Sequence, residues 1–120
     1  MNETSYSPGL HKLLTLKVED LSKLTSAINF SDFTDTLLSE FGLEKVGYSS
    51  FTFDNNSFTS AICLMESHIC IHTWPEFGQL TMDIYLCNYL QDNSSKVQAV
   101  ADRYVSYFNA EIIKQSDIYR

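Results

Sequence analysis

The sequence predicts a two-layer α+β sandwich, an antiparallel sheet with two helices on one face. Three observations lead there: extended runs with two-residue alternation dominate the chain, turn-forming residues separate neighbouring runs by a few positions, and only two stretches space their apolar residues as a helix does. Strands and helices come in blocks and do not alternate one for one, so the pattern of parallel crossovers is missing. With 120 residues, 44% hydrophobic and 13% aromatic, the chain is sized for one domain, residues 1–120, around one core.

Taken in order, Pro8-Gly9 opens a first strand from Lys12 to Val18, and a polar stretch runs from Glu19 to Ser31. Ser31 then suits the N-cap of a helix: Asp32 and Asp35 favour its positive start, Phe33, Leu37, Leu38 and Phe41 form one stripe, and Gly42 stands at the stop. Leu43 to Phe53 and Phe58 to Met65 read as strands paired antiparallel around Asp54-Asn55-Asn56-Ser57, whose residues tolerate turn conformations. The next strand runs from Glu66 to Trp74. Pro75 removes a ladder donor there, and Gly78 lets the chain reverse into Leu80 to Cys87. In that run Leu80, Met82, Ile84 and Leu86 share one face, and Thr81, Asp83, Tyr85 and Cys87 the other. A second helix spans Ser94 to Phe108, capped by Ser94 or Ser95, with Val97, Val100, Ala101, Tyr104, Val105 and Phe108 at helical spacing, and a closing strand covers Glu111 to Ile118.

Fifteen acidic against eight basic residues give a net charge of −7 without a basic run, which argues against nucleic acid or an anionic membrane as partner. No apolar run approaches bilayer length, and the start Met1-Asn2-Glu3-Thr4-Ser5 lacks the charged and apolar regions of a secretion signal, so a cytoplasmic protein is expected. Cys63, Cys70 and Cys87 fit no zinc or disulfide spacing and read as reduced thiols, with no metal expected. Cys63 and Cys70, among apolar neighbours, read as core filling.

The densest chemistry lies in Glu66-Ser67-His68-Ile69-Cys70-Ile71-His72-Thr73-Trp74-Pro75-Glu76. Ile69 and Ile71 supply one apolar face of a strand, whereas His68, Cys70 and His72 make a face that is expensive to bury. This run resembles the ESHxxIHTWPE signature of the prokaryotic S-adenosylmethionine decarboxylases, pyruvoyl enzymes that cut their own chain between glutamate and serine. The likeness extends to Gly9-x-His11, to Ser49-Ser50-Phe51, to Gly78 and to Asp83 through Cys87, and so covers most of the chain.

The resemblance implies self-cleavage at Glu66-Ser67 into 1–66 (the β chain) and 67–120 (the α chain). It further implies a pyruvoyl cofactor made from Ser67, forming a Schiff base with S-adenosylmethionine and releasing carbon dioxide for spermidine synthesis, with neither metal nor pyridoxal phosphate. By the same match Ser67 is the internal nucleophile, His72 removes its α-proton, Cys87 returns a proton to the decarboxylated carbon, and Thr59 stands where the family usually has serine. Ser60, next along the strand, points to the opposite face. His68 reads equally well as a structural histidine. Phe53 and Trp74 are candidates to stack on an adenine, and Glu66 and Glu76 to bind substrate hydroxyls; packing and loop capping are their alternatives.

Three positions depart from the family's usual pattern: Thr52 for histidine, Gln79 for tyrosine and Asn88 for glycine. They point towards two alternatives, a pyruvoyl-dependent ornithine or arginine decarboxylase of the same family, or an unprocessed, non-catalytic binding or partner subunit. Five residues separate Ser67 from His72, so on one extended strand their α-carbons lie roughly 16 Å apart with side chains on opposite faces. If both serve one bond, the enzyme is a homodimer whose sites are shared between protomers.

Overall fold

The computed structural model describes residues 7–88 and 91–120; the start Met1 to Ser5, read above for a leader, lies outside the described residues. The elements follow as β1 (Leu10–Lys17), α1 (Leu21–Leu24), α2 (Ala27–Phe41), β2 (Lys45–Thr52), β3 (Phe58–Leu64), β4 (Ser67–Trp74), a single 3-10 turn (Pro75–Phe77), β5 (Gln79–Tyr85), α3 (Ser94–Phe108) and β6 (Glu111–Tyr119). The six strands form one antiparallel sheet in the order β2-β3-β4-β5-β1-β6. The architecture is thus the expected α+β sandwich, with a short third helix, α1, that the polar stretch before α2 had concealed.

Alternation divides the sheet into two unlike faces. Leu14 and Leu16 of β1, Ile62 and Leu64 of β3, Ile69 and Ile71 of β4, and Met82 and Ile84 of β5 are buried together with Phe30 and Leu37 of α2 and Val100, Tyr104 and Phe108 of α3. An aromatic cluster joins the two layers: Phe30 lies 5.5 Å from Tyr104, 5.6 Å from Phe58 and 6.3 Å from Phe108, centroid to centroid. The intervening residues of β3, β4 and β5 face away from this core and stay half-buried or exposed. Among the described residues nothing is packed over that second face, the open face of the sheet.

α2 begins at Ala27, with the hydroxyl of Ser26 accepting from Asn29 N, so Ser31 lies inside the helix and is not its cap. Both serines have capping chemistry; burial of Phe30 decides between them, because only a helix starting before residue 30 brings that ring onto the sheet. Gly42 stops α2 in the left-handed conformation as expected. α3 has the predicted bounds, but its N-cap is Asn93, and Asp92 Oδ1 rather than a serine accepts from Ser94 N. β6 is exposed along its whole length and is held by its ladder to β1 and by the Lys12–Asp117 ion pair at 2.8 Å, which also neutralises a buried lysine.

Thr73 ties the layers together through one hydroxyl. Its Oγ1 accepts from Phe58 N at 2.9 Å and donates to Leu24 O at 2.8 Å, both in the buried interior, so β3, β4 and α1 meet at a single atom. Thr73→Val keeps the shape and orphans both partners. It should destabilise the fold by on the order of 2–4 kcal/mol, checked by chemical denaturation, with the secondary structure unchanged by circular dichroism.

Candidate active site

β3 ends at Leu64 and β4 starts at Ser67, so Met65 and Glu66 form a two-residue connection where continuous strands were expected up to Met65 and from Glu66. Such a turn normally advertises itself with Gly or Asn, and neither is present. Glu66 instead takes a left-handed backbone, φ +55°, a conformation that disfavours a residue with a Cβ by roughly 1–2 kcal/mol. Strain is therefore stored at the residue preceding Ser67.

Ser67 shares strand parity with Ile69 and Ile71, and its Oγ accepts a hydrogen bond from Cys87 N at 2.9 Å. Cys87 follows the end of β5, its Sγ 3.7 Å from Glu66 Oε2. Glu66, Ser67 and Cys87 line a cleft of about 310 Å³ together with Leu43, Met65, Leu86 and Asn93. Two asparagines knot the backbone around the thiol: Asn93 Nδ2 donates to Cys87 O at 2.8 Å, Asn88 Oδ1 accepts from Asn93 N at 2.8 Å, and Asn88 Nδ2 donates to Pro8 O at 3.0 Å. Gly9 allows this approach, since a Cβ there would sit 2.4 Å from Leu86 O. Asn93's part is not legible in the sequence, because its hydrogen-bonding partners, Asn88 and Cys87, stand five and six residues away and outside any strand or helix.

Thr59 and His72 are paired across β3 and β4, with Thr59 Oγ1 and His72 Nδ1 at 2.7 Å. With Nδ1 engaged, Nε2 is the ring nitrogen positioned for proton transfer. Phe53 and Trp74 line the same shallow cleft of about 290 Å³, and the Trp74 ring lies 6.1 Å from the imidazole. Glu76 is anchored by Asn55 Nδ2 at 2.8 Å. Ser60 points to the other face, buried and bonded to Ser50 at 2.9 Å.

The expected residues thus fall into two groups. Glu66, Ser67 and Cys87 come together at one end of β4; Thr59, His72, Phe53 and Trp74 come together at the other, and Ser67 and His72 lie on opposite faces of the sheet.

Three side chains on the open face depart from or extend the expectations. Cys63 is exposed and Cys70 half-buried, both on the open face and outside the core, because the apolar residues flanking them in sequence point the other way. Burial, followed by the Asp83 carboxylate, raises the Cys70 thiol pKa, which keeps it protonated near neutral pH. His68 stands beside His11, ring centroids 5.4 Å apart, and burial of His11 lowers its pKa more than the Asp83 charge raises it.

Comparison with known proteins agrees with this architecture. A family model described as S-adenosylmethionine decarboxylase matches residues 11–120. The chain belongs to the S-adenosylmethionine decarboxylase family. It is 30% identical over 105 residues to an S-adenosylmethionine decarboxylase proenzyme of Aquifex aeolicus, covering 88% of this chain and 75% of that one. The proenzyme of Persephonella marina is 34% identical over 79 residues, 66% of this chain and 59% of that one. The crystal structure of the adenosylmethionine decarboxylase from Aquifex aeolicus superposes with a TM-score of 0.77 at 25% identity, covering 96% of this chain and 90% of that chain.

For this family member the asparagine knot has a direct check. Asn93→Ala removes the donor to Cys87 O, worth about 1 kcal/mol, so iodoacetamide should modify Cys87 roughly fivefold faster than in wild type. Peptide mass spectrometry should find the exposed Cys63 reacting at an unchanged rate.

Proposed function

We propose that this chain is a proenzyme that cleaves itself between Glu66 and Ser67 and then decarboxylates S-adenosylmethionine, with a pyruvoyl group derived from Ser67. The observation that carries this reading is Ser67 Oγ, held by the Cys87 N–H directly after a left-handed glutamate at the start of β4. Because the amide donates to Oγ, the hydroxyl keeps a lone pair for the adjacent carbonyl carbon of Glu66, and enforced proximity replaces a separate activating base. Attack forms a bond from Oγ to that carbon and breaks the peptide C–N bond, the hydroxyl proton passing to the departing nitrogen, which leaves an ester and a free amine on residue 67. The turn strain at Glu66 is relieved in the same step.

His72 Nε2, oriented by Thr59 on Nδ1, is the base for the α-proton of residue 67. Loss of that proton expels Oγ with the Glu66 carboxylate as leaving group, and water then displaces ammonia to leave the keto group. A pyruvoyl group supplies the electron sink that lets carbon dioxide depart. The Cys87 thiol, beside residue 67 in the same cleft, returns a proton to the decarboxylated carbon. Phe53 and Trp74 offer ring faces to an adenine, with Glu66 and Glu76 as acceptors for ribose hydroxyls. No helix of the described residues is long and apolar enough to cross a membrane, which is compatible with a cytoplasmic enzyme.

Purified chain of 13.7 kDa should separate into 1–66 and 67–120, the second lacking a free serine amine, while Ser67→Ala stays whole in the mass spectrum. Cleaved protein should release carbon dioxide from S-adenosylmethionine without pyridoxal phosphate and be blocked by carbonyl-trapping reagents. Gln79, paired beside Trp74 where the family usually has tyrosine, makes ornithine and arginine the comparison substrates; faster release from either reassigns the substrate.

The second half of the proposal is a homodimer. His72 and Ser67 on one strand sit roughly 16 Å apart and on opposite faces, so one chain does not deliver both to one bond. The open face carries exposed Phe51, Trp74 and Ile118, and among the described residues no helix lies over them, so this is the face a second copy would cover, setting its own Thr59 and His72 against this sheet. Co-refolded Ser67→Ala and His72→Ala chains, each inactive alone, should recover part of the cleavage and turnover through mixed dimers. Mixed dimers that form yet stay inactive would place each site within one chain.

A further inference from the structure

His11 of β1, His68 of β4 and Asp83 of β5 meet on the open face, one ligating atom from each lying within 4.8 Å of the others. The register explains the convergence. His11 and His68 stand opposite Tyr85 from its two sides, and Asp83 lies two residues along β5, so alternation presents it on the same face. Three adjacent strands, rather than a loop, hold the three side chains.

One atom in this group lacks a hydrogen bond. The His11 side chain is only 9% exposed, its Nε2 has no hydrogen bond, and the nearest carboxylate oxygen, Asp83 Oδ2, is 3.8 Å away, too far for one. A buried unpaired ring nitrogen costs on the order of 1–3 kcal/mol and calls for a reason. We propose that His11 Nε2, a ring nitrogen of His68 and a carboxylate oxygen of Asp83 bind a divalent transition ion of the zinc class, with water in the fourth position.

Two imidazoles and a carboxylate are a donor set of open, three-ligand tetrahedral sites. Ligands about 2.0–2.2 Å from such an ion stand roughly 3.4 Å from one another, so the 3.8 Å separation closes with a small side-chain rotation. Asp83, at 44% exposure, has that freedom. The site uses none of Ser67, Cys87, Thr59 or His72; it would pin β1 to β4 across β5.

Arg120 supplies a contrary force. Its Nη1 lies 3.4 Å from His11 Nδ1 and donates to it, whereas a metal on Nε2 requires Nδ1 to carry the proton. The guanidinium must swing away when the ion enters, and as a cation beside His11 it repels the incoming ion. Removing it should tighten the site.

The test is titration of chelator-treated chain with Zn²⁺ by calorimetry and with Co²⁺ by visible absorption, with loading also during refolding so that a covered face does not hide the ligands. One ion per chain is expected, with Co²⁺ giving the intense visible bands of a tetrahedral complex. His11→Ala and His68→Ala should weaken binding on the order of tenfold or more, a loss that even outer-shell changes can produce. Asp83→Asn does the same at a half-exposed position where folding is not at stake, and Arg120→Ala binds several-fold more tightly. Absence of a stoichiometric ion in wild type overturns the proposal. So does binding that survives His11→Ala and Asp83→Asn but disappears in Cys70→Ser, which would put the ion on the thiols of the same face.

Discussion

Burial of Ile69 and Ile71 beneath the helices fixes the register of β4, and the site depends on it. Both side chains are fully buried, each burial favouring the observed register by about 1.5–3 kcal/mol. A slip of one residue would expose them and turn His68, Cys70 and His72 into the core, where unpaired polar groups are penalised by a similar amount each. Any single polar contact at the site, at about 1 kcal/mol, is too weak to oppose that sum. Register is therefore set by apolar packing, and the chemistry inherits its placement.

That placement has a consequence for the two ends of the strand. Inward parity takes Ser67 to the Cys87 amide, which buried Leu86 and the Asn88–Asn93 knot hold in position. Outward parity takes His72 to Thr59, whose opposite number on β3 is set by the same ladder. One strand of eight residues thus positions two groups of side chains that it cannot itself join, and among the described residues the helices lie on the inner face alone.

How much of this was legible follows from which forces are local. Alternation in Leu80 to Leu86 and the helical spacing of Val97 to Phe108 were readable because period and burial coincide there, and the Asp54-to-Ser57 turn because Asn56 accepts φ +68°. The start of α2 was not, since Ser26 and Ser31 are equivalent as caps until Phe30 is seen to fill the core. The turn at Met65–Glu66 was hidden because its residues carry no turn preference, and the strained φ of Glu66 is imposed by the strands on either side. Cys63 and Cys70 were misplaced by their neighbours in sequence; neighbours across the strands decide a face. The pairing of His11 with Asp83 needed the β1–β5 register, which single-sequence alternation does not provide.

The three departures from the family pattern, alike in the sequence as a threat to substrate recognition, separate in the structure. Thr52 lies on the helix-side cleft with Tyr48, Ser50 and Ser31, away from His72. Asn88 is buried at the Ser67 end, where its side chain makes two hydrogen bonds that a glycine lacks, so this substitution stiffens the Cys87 segment. Only Gln79 stands on the open face next to Trp74. An aromatic ring there would add a stacking surface; a glutamine amide offers a donor and an acceptor instead. Trp74 and Ser67 stand at opposite ends of β4, so a change beside Trp74 leaves the Oγ-to-amide contact at Ser67 undisturbed.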